Sequence, residues 1–263
     1  MKYSLAGKWV LITGASSGFG AATARAFGAE HSKLLLGARR VDRLAATARE
    51  ALQAGAAEAH VHALDVASRA SVEAFAAWAR TKTNSIDVLI NNAGGAHGLD
   101  PVASGHDEDW EAMFQSNVLG ILRMVRAILP SMPKDAGASI LNIGSVAGHY
   151  AYEGGAAYCA AKAGELMITR TLRLELNGTG IRITSLDPGL ARSEFSEVRF
   201  KGDKARAEKV YDGVIPLVPE DIAETLVWLA SRPPHVNIDE MILKCVDQAA
   251  TFKVFRRKTA QTV

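Results

Sequence analysis

Short apolar runs alternate along the chain with longer stretches in which apolar residues recur every three or four positions. The runs are Trp9–Thr13, Lys33–Leu36, Ala59–Leu64, Val88–Ile90, Ser139–Ile143, Arg182–Ser185 and Glu240–Lys244. Between them lie Gly20–Ala29, Asp42–Gln53, Ser71–Arg80, Glu108–Leu129, Ala156–Leu176 and Pro219–Ala230, most of them rich in Ala. The short runs predict strands and the longer periodic stretches predict helices. Several runs, such as Val10-Leu11-Ile12 and Leu34-Leu35-Leu36, are apolar without alternation, as expected of strands covered on both faces. Strands alternating with helices imply repeated βαβ units, which right-handed crossovers stack into a parallel sheet with helices on both faces. The pattern therefore predicts an α/β fold, doubly wound, as one domain over residues 1–263.

Two stretches break the rhythm. Residues Gly189 to Val214 are polar and charged without a clear period. An irregular insert after a late strand falls beside the crevice at the carboxyl ends of the strands, where a substrate lid would sit. The segment Phe252–Val263 carries Lys253, Arg256, Arg257 and Lys258 and reads as a solvated basic tail.

Composition narrows the function classes. The 263 residues are 48% hydrophobic and 22% charged, which excludes a disordered chain. Lys+Arg 30 against Asp+Glu 28 lacks the basic excess of a nucleic-acid binder, so no nucleic-acid partner is expected. Cys159 and Cys245 cannot build a disulfide framework, and neither has a second Cys or His at metal-ligand spacing. They read as reduced thiols of a cytoplasmic protein without a metal site. No apolar run approaches the roughly 18 to 20 residues of a membrane span. The run WVLI near the start falls well short of the roughly 7 to 15 apolar residues of a signal peptide. Neither a membrane nor secretion is expected.

The first strand runs into Thr13-Gly14-Ala15-Ser16-Ser17-Gly18-Phe19-Gly20 and then a helix. A strand, glycine loop and helix start let bare backbone approach a pyrophosphate, whose charge sits at the helix N-terminus. The next strand ends in Gly37-Ala38-Arg39-Arg40, about 20 residues on, where a dinucleotide fold places its ribose-reading residue. An Asp or Glu there would suit NAD; an arginine suits the 2′-phosphate of NADP through forked, charge-assisted hydrogen bonds. Arg39 and Arg40 are the candidates, against a plain helix-start or solvent role. Asp65, in Leu64-Asp65-Val66, is placed either to accept from an adenine amino group or to serve as a turn residue.

Tyr158 and Lys162 lie at i and i+4 within a long helical stretch, which puts both side chains on one face. A free phenol ionises at about pH 10, too high for acid–base work at neutrality, and an adjacent ammonium favours the phenolate. Ser145 closes a strand and aims its hydroxyl at the same crevice. Asn117 sits in mid-helix, where an amide is a poor helix former with no local reason to be there.

Together, TGASSGFG, Asn91-Asn92-Ala93-Gly94, Asn117, Ser145, Tyr158-x-x-x-Lys162 and Asp187-Pro188-Gly189 resemble the short-chain dehydrogenase/reductase superfamily in order and spacing, over about residues 5 to 250. The resemblance implies a single Rossmann-type domain with a seven-stranded parallel sheet, and a hydride transfer with NADP as cofactor. Tyr158 would exchange a proton with the substrate oxygen, and Ser145 would hydrogen-bond that oxygen. Lys162 would hold the nicotinamide ribose, and Asn117 would keep a water in a proton relay. Cofactor contacts would come from Gly14, Ser16, Ser17, Gly18, Phe19, Gly20, Arg39, Arg40, Asp65, Val66, Asn91, Ala93, Gly94, Tyr158, Lys162, Pro188 and Gly189. Family members pair through their two long helices, here about Glu108–Leu129 and Ala156–Leu176, which implies a homodimer or homotetramer.

The segment Pro188 to Asp203, with Pro219–Glu224 and Arg232–Ile238, is similar to the branch of NADP-dependent 3-hydroxy acid dehydrogenases that act on serine and allo-threonine. A small acidic substrate needs a cation, and Arg199 could clamp a carboxylate or pair instead with Glu194 or Glu197. His149, Tyr150 and Tyr152 are expected to shape the pocket with Ser145. The loop Ala191-Arg192-Ser193 departs from the family pattern; Arg192 would add an anion contact or sit in solvent. Two other readings stand beside this one. One is a reductase of another polar or anionic aldehyde, such as a sulfonated one or a specialised metabolite. The other, a non-catalytic NADP-binding sensor, would be expected to lack Tyr158, Lys162 or Ser145.

Overall fold

A computed structural model describes residues 3–134 and 137–257. In chain order the elements are β1 (Trp9–Thr13), α1 (Gly18–Ala29), β2 (Lys33–Ala38), α2 (Val41–Ala54), β3 (Glu58–Ala63), α3 (Arg69–Arg80) and β4 (Val88–Asn91). Then come α4 (Asp107–Phe114), α5 (Gly120–Ile128), β5 (Ser139–Ile143), α6 (Ala156–Glu175) and β6 (Arg182–Pro188). The last are α7 (Phe195–Arg199), α8 (Lys204–Lys209), α9 (Pro219–Ala230), β7 (Glu240–Leu243), β8 (Gln248–Ala250) and β9 (Lys253–Val254).

Strands β1 to β7 form one parallel sheet in the order β3-β2-β1-β4-β5-β6-β7. The unbroken apolar runs have a direct cause. Val10, Ile12, Leu34, Leu36 and Ile90 face one core with Phe27 of α1, Leu44 of α2 and Leu226 of α9. The intervening Leu11, Leu35 and Leu89 face the other, with Phe75 of α3 and Ile121 and Val125 of α5. Phe27 and Phe75 are fully buried; truncating either to Ala would cost ~3–5 kcal/mol. The chain turns in opposite directions after β1 and after β4, which opens a crevice between their carboxyl ends.

Helix ends are set locally. The Ser68 hydroxyl accepts from Ser71 N at the start of α3, and α2 stops at Gly55, whose φ of 118° suits glycine. Helix α9 begins with Pro219, and Asp221 accepts from Val218 N at 2.8 Å. Its last carbonyls, those of Leu229 and Ala230, accept from the buried Arg182 guanidinium of β6.

Three stretches differ from the sequence expectation. The helix expected over Glu108–Leu129 is interrupted by a π-turn at Gln115–Leu119, and Leu129–Ser131 tightens to 3-10 form. The interruption centres on Asn117, whose amide turns inward to bond backbone groups. By length and composition this 107–131 helix could cross a membrane, but Ile121, Met124, Val125 and Ile128 are buried against the sheet. The aperiodic 189–214 segment holds the short helices α7 and α8, with Phe200, Ala207 and Tyr211 buried. The tail through residue 257 is largely solvent-exposed as expected, but it is also tied to the fold. Strands β8 and β9 form a hairpin, Arg256 donates to the Val210 and Asp212 carbonyls, and Arg257 pairs with Asp247 at 2.8 Å. Residues 258–263, with Lys258, lie outside the described residues.

Candidate active site

The turn after β1 is built around glycine. Gly14 and Gly18 take φ of 67° and 51°. A Cβ on Gly14 would lie 2.8 Å from Asn92 Nδ2, and one on Gly20 would collide with the Gly14 carbonyl. Asn92 locks the turn by donating to Thr13 O and Gly14 O, while Thr13 Oγ1 accepts from the Asn92 and Ala93 N–H groups. Ser17 does not cap α1 with its side chain; its hydroxyl accepts from Arg40 Nη2 at 2.6 Å. A helix start without a side-chain cap, behind a turn with no room for Cβ atoms, suits a phosphate.

This turn opens on a cavity of about 430 Å³ lined by Ser16, Ser17, Phe19, Arg39, Arg40, Asp65, Val66, Ala93 and Gly94. Arg39 is exposed and makes no hydrogen bond or ion pair among the described residues. Arg40 reaches Ser16 and Ser17, and with Arg43 it holds Glu194 at 2.9 and 2.7 Å. Partial burial lifts the Glu194 carboxyl, but the two guanidinium groups outweigh it and hold the group below its ordinary value. Asp65 Oδ1 accepts from Ala67 N, so one oxygen does turn duty while the residue lines the cavity. Paired arginines, bare helix start and glycine cradle fit a dinucleotide with a 2′-phosphate.

A second cavity, of about 280 Å³, adjoins the first through Phe19, Asn92, Gly94, Gly95, Ser193 and Phe195. Ser145, Tyr158, Lys162, Asn117, Pro188 and Gly189 all line it. Ser145 follows β5, with its Oγ accepting from Ala147 N at 3.1 Å. Asn117 Nδ2 donates to the Gly95 and Met113 carbonyls and its Oδ1 accepts from Gly95 N, so this amide clamps the loop after β4. Lys162 Nζ donates to Ile143 O at 2.7 Å and to Glu165 Oε2 at 2.6 Å. Burial works against the Lys162 charge, but Glu165, Tyr158 and Asp187 hold its ammonium above its ordinary value.

Arg199 lines the same cavity. Its Nη2 donates to Tyr152 Oη at 2.7 Å and its Nε to Gly98 O, and the guanidinium lies 5.6 Å from the Tyr158 ring centre. It pairs with neither Glu194 nor Glu197, and its Nη1 has no hydrogen-bond partner among the described residues. Burial pushes the Tyr152 phenol up, against the pull of Arg199.

Some expected residues stand elsewhere. His149 does not line the cavity; its Nε2 lies 2.7 Å from Asp187 Oδ2, in a group completed by Glu240. Tyr150 is exposed. Asn91 is buried beneath the crevice and donates to Asn142, leaving Asn92 at the surface of the cleft. Gly20 serves by packing rather than by lining. Arg192 pairs with Glu208 at 2.7 Å and lies over the Tyr211 ring, and it does not itself line the cavity. Sequence reasoning also missed Glu165, although its i+3 spacing from Lys162 was visible, and it named Glu194 only as a partner of Arg199, since the true partners Arg40 and Arg43 are set by the tertiary fold.

A doubly wound parallel sheet, with a glycine cradle at its switch point and Ser, Tyr and Lys on the adjoining cavity, defines a dinucleotide-dependent oxidoreductase class. A sequence model described as short chain dehydrogenase matches residues 8–204. The chain belongs to this family. It is 40% identical over 241 residues to the NADP-dependent 3-hydroxy acid dehydrogenase YdfG of Escherichia coli strain K12, covering 91% of this chain and 96% of the relative. It is 40% identical over 248 residues to serine 3-dehydrogenase of Agrobacterium fabrum, covering 94% and 98%. A solved closed form of serine dehydrogenase complexed with NADP+ superposes with a TM-score of 0.87 at 38% identity, covering 95% of this chain and all of that one.

Proposed function

We propose that this protein is an NADP-dependent dehydrogenase that interconverts the hydroxyl of a small 3-hydroxy acid and the carbonyl of its semialdehyde. The observation that carries the reading is Arg199, whose Nη1 has no hydrogen-bond partner among the described residues, lining the cavity that also takes Ser145, Tyr158 and Lys162. A carboxylate at Arg199 would leave the β-carbon of a short chain within reach of the Tyr158 hydroxyl.

When bound, NADP supplies the hydride acceptor or donor. Tyr158 takes the hydroxyl proton during oxidation and returns it to the carbonyl oxygen during reduction. Ser145 hydrogen-bonds the same oxygen as charge develops on it. Lys162 spends two N–H donors on Ile143 and Glu165, which leaves a third for ribose hydroxyls. Asn117 holds the loop after β4, which lends rigidity to the water relay assigned to it. Arg39 and Arg40 take the 2′-phosphate, the 14–20 turn takes the pyrophosphate, and Asp65 and Val66 border the adenine. Ala93, Gly94, Pro188 and Gly189 line the path to the nicotinamide, and Tyr152 steers Arg199. Residues 189–214 serve as the substrate lid of a single catalytic domain over 1–263.

The reading extends to assembly and location. Exposed Phe114, Met167 and Leu174 on α4 and α6 suit a homodimer or homotetramer paired through those helices, which light scattering would test. Two buried free thiols suit a reducing cytoplasm. The functional test is turnover of serine, 3-hydroxypropionate or malonic semialdehyde with NADP(H). NADPH binding without turnover of any carboxylate would reject the substrate class.

A further inference from the structure

The mechanism above uses Lys162 but leaves the group beneath it without a task. Glu165 lies one turn further along α6 and is wholly buried. Its Oε2 takes a 2.6 Å contact from Lys162, and its Oε1 is buried with no hydrogen-bond partner among the described residues. An acceptor left open at that depth is costly to a carboxylate and is what a carboxyl that sometimes carries a proton would show.

We propose that Glu165 is a positioning residue for proton transfer: it fixes the Lys162 ammonium against the end of β5 and, while ionised, offsets the positive charge that Lys162 presents to Tyr158. The inference rests on the reading of Tyr158 as the group that moves the proton. The geometry limits the alternatives for Lys162. With Ile143 O and Glu165 on two of its donors, the ammonium is held at the base of the cavity and its charge is shared with the carboxylate.

The charged and titratable groups around the pair can be named. On α6 they are Lys162 and Tyr158. From β6 comes Asp187, which accepts from Ser185 at 2.6 Å and meets His149. Beyond His149, Glu240 is neutralised by Arg170. On the cavity side Arg199 and Tyr152 approach Tyr158. From β5 comes the amide of Asn142, which is uncharged and donates to Thr169. Burial pushes the Glu165 carboxyl up to about 7, against the pull of Lys162, and nearby Asp187 adds to the rise. With its carboxyl protonated the pair carries one net positive charge, and with it ionised none, close to the group that transfers the proton.

The experiment compares wild-type enzyme with Glu165→Gln and Glu165→Asp, each alone and combined with Tyr158→Phe. Difference absorbance of tyrosinate, each form minus its Tyr158→Phe counterpart, reads Tyr158 ionisation without any need for turnover. In Glu165→Gln no carboxylate offsets Lys162, so over the pH range in which its ammonium stays protonated Tyr158 should ionise about one pH unit lower than in wild type. The acid limb of kcat/KM for alcohol oxidation should move the same way, and Glu165→Asp should return both toward wild type. NADPH binding and thermal unfolding establish that each variant folds. A folded Glu165→Gln enzyme with unchanged Tyr158 ionisation, or with activity lowered equally at all pH values, would overturn the proposal. If Tyr158→Phe kept full turnover, the reading of Tyr158 would fail instead, and the absorbance titration would still report the charge effect of Glu165.

Discussion

Glu194 occupies two arginine donors at the edge of the cofactor cleft, and replacing it should tighten NADPH selectively. Its carboxylate spans Arg40 and Arg43 at 2.9 and 2.7 Å, and Arg40 also meets Ser16 and Ser17 beside the glycine turn. A 2′-phosphate arriving at Arg40 must share those donors with Glu194 or displace it. Exposed ion pairs of this kind contribute ~0.2–1 kcal/mol each, so releasing two corresponds to about 0.4–2 kcal/mol. At 1.4 kcal/mol per factor of ten, Glu194→Gln should lower the NADPH Kd roughly 2- to 30-fold. NADH lacks the phosphate and should change little. The assay is a fluorescence titration of both cofactors at low and high ionic strength, and the gain should shrink with salt because the pairs face solvent. Weaker NADPH binding in Glu194→Gln, or equal tightening of NADH, would show that Glu194 organises the arginines rather than competing for them.

Other outcomes follow from the same geometry. Arg40→Ala should weaken NADPH roughly 10- to 100-fold, the worth of about 1.5–3 kcal/mol in hydrogen bonds to a charged group, with NADH nearly unaffected; equal losses would move the phosphate site. Arg39→Ala should act in the same direction. Arg199→Met should raise KM for carboxylate substrates by a similar factor and leave uncharged alcohols unchanged, as steady-state kinetics on matched substrates would show. Asn117→Ala should lower stability by ~1–3 kcal/mol, because Gly95 loses its buried partners, and denaturant unfolding with an unchanged midpoint would contradict this.

Strands β1, β2, β4, β5 and β6 were readable because each carries apolar residues toward two buried cores at once, as Val10 and Leu11 do from adjacent positions, whereas β3 and β7 at the sheet edges pack apolar residues against one core only. The π-turn was not, since it arises from the Asn117 amide reaching Gly95, a contact that no local periodicity encodes. The short helices α7 and α8 escaped detection because they lack a full amphipathic repeat and owe their order to buried Phe200 and Tyr211. The tail reads as solvated from its charge and is mostly exposed, but its charge does not reveal the carbonyls and Asp247 that Arg256 and Arg257 find across the fold. Within the candidate site, Tyr158 and Lys162 share a helix face and could be paired from spacing alone. His149 stood near Ser145 in sequence, but its ring turns down to Asp187. Glu194 and Arg40 lie far apart along the chain, and only the folded 189–214 segment brings them together.

The most direct test of the account follows NADP(H) interconversion with wild-type and Tyr158→Phe enzyme, with NAD(H) as control. The substrates are serine, allo-threonine, 3-hydroxypropionate, 3-hydroxyisobutyrate, malonic semialdehyde and sulfoacetaldehyde. The account predicts turnover of one or more carboxylates with NADP(H), and its loss in Tyr158→Phe while NADPH still binds. Turnover retained by Tyr158→Phe would contradict the mechanism. Tight NADPH binding with turnover confined to sulfoacetaldehyde would contradict the assignment to 3-hydroxy acids.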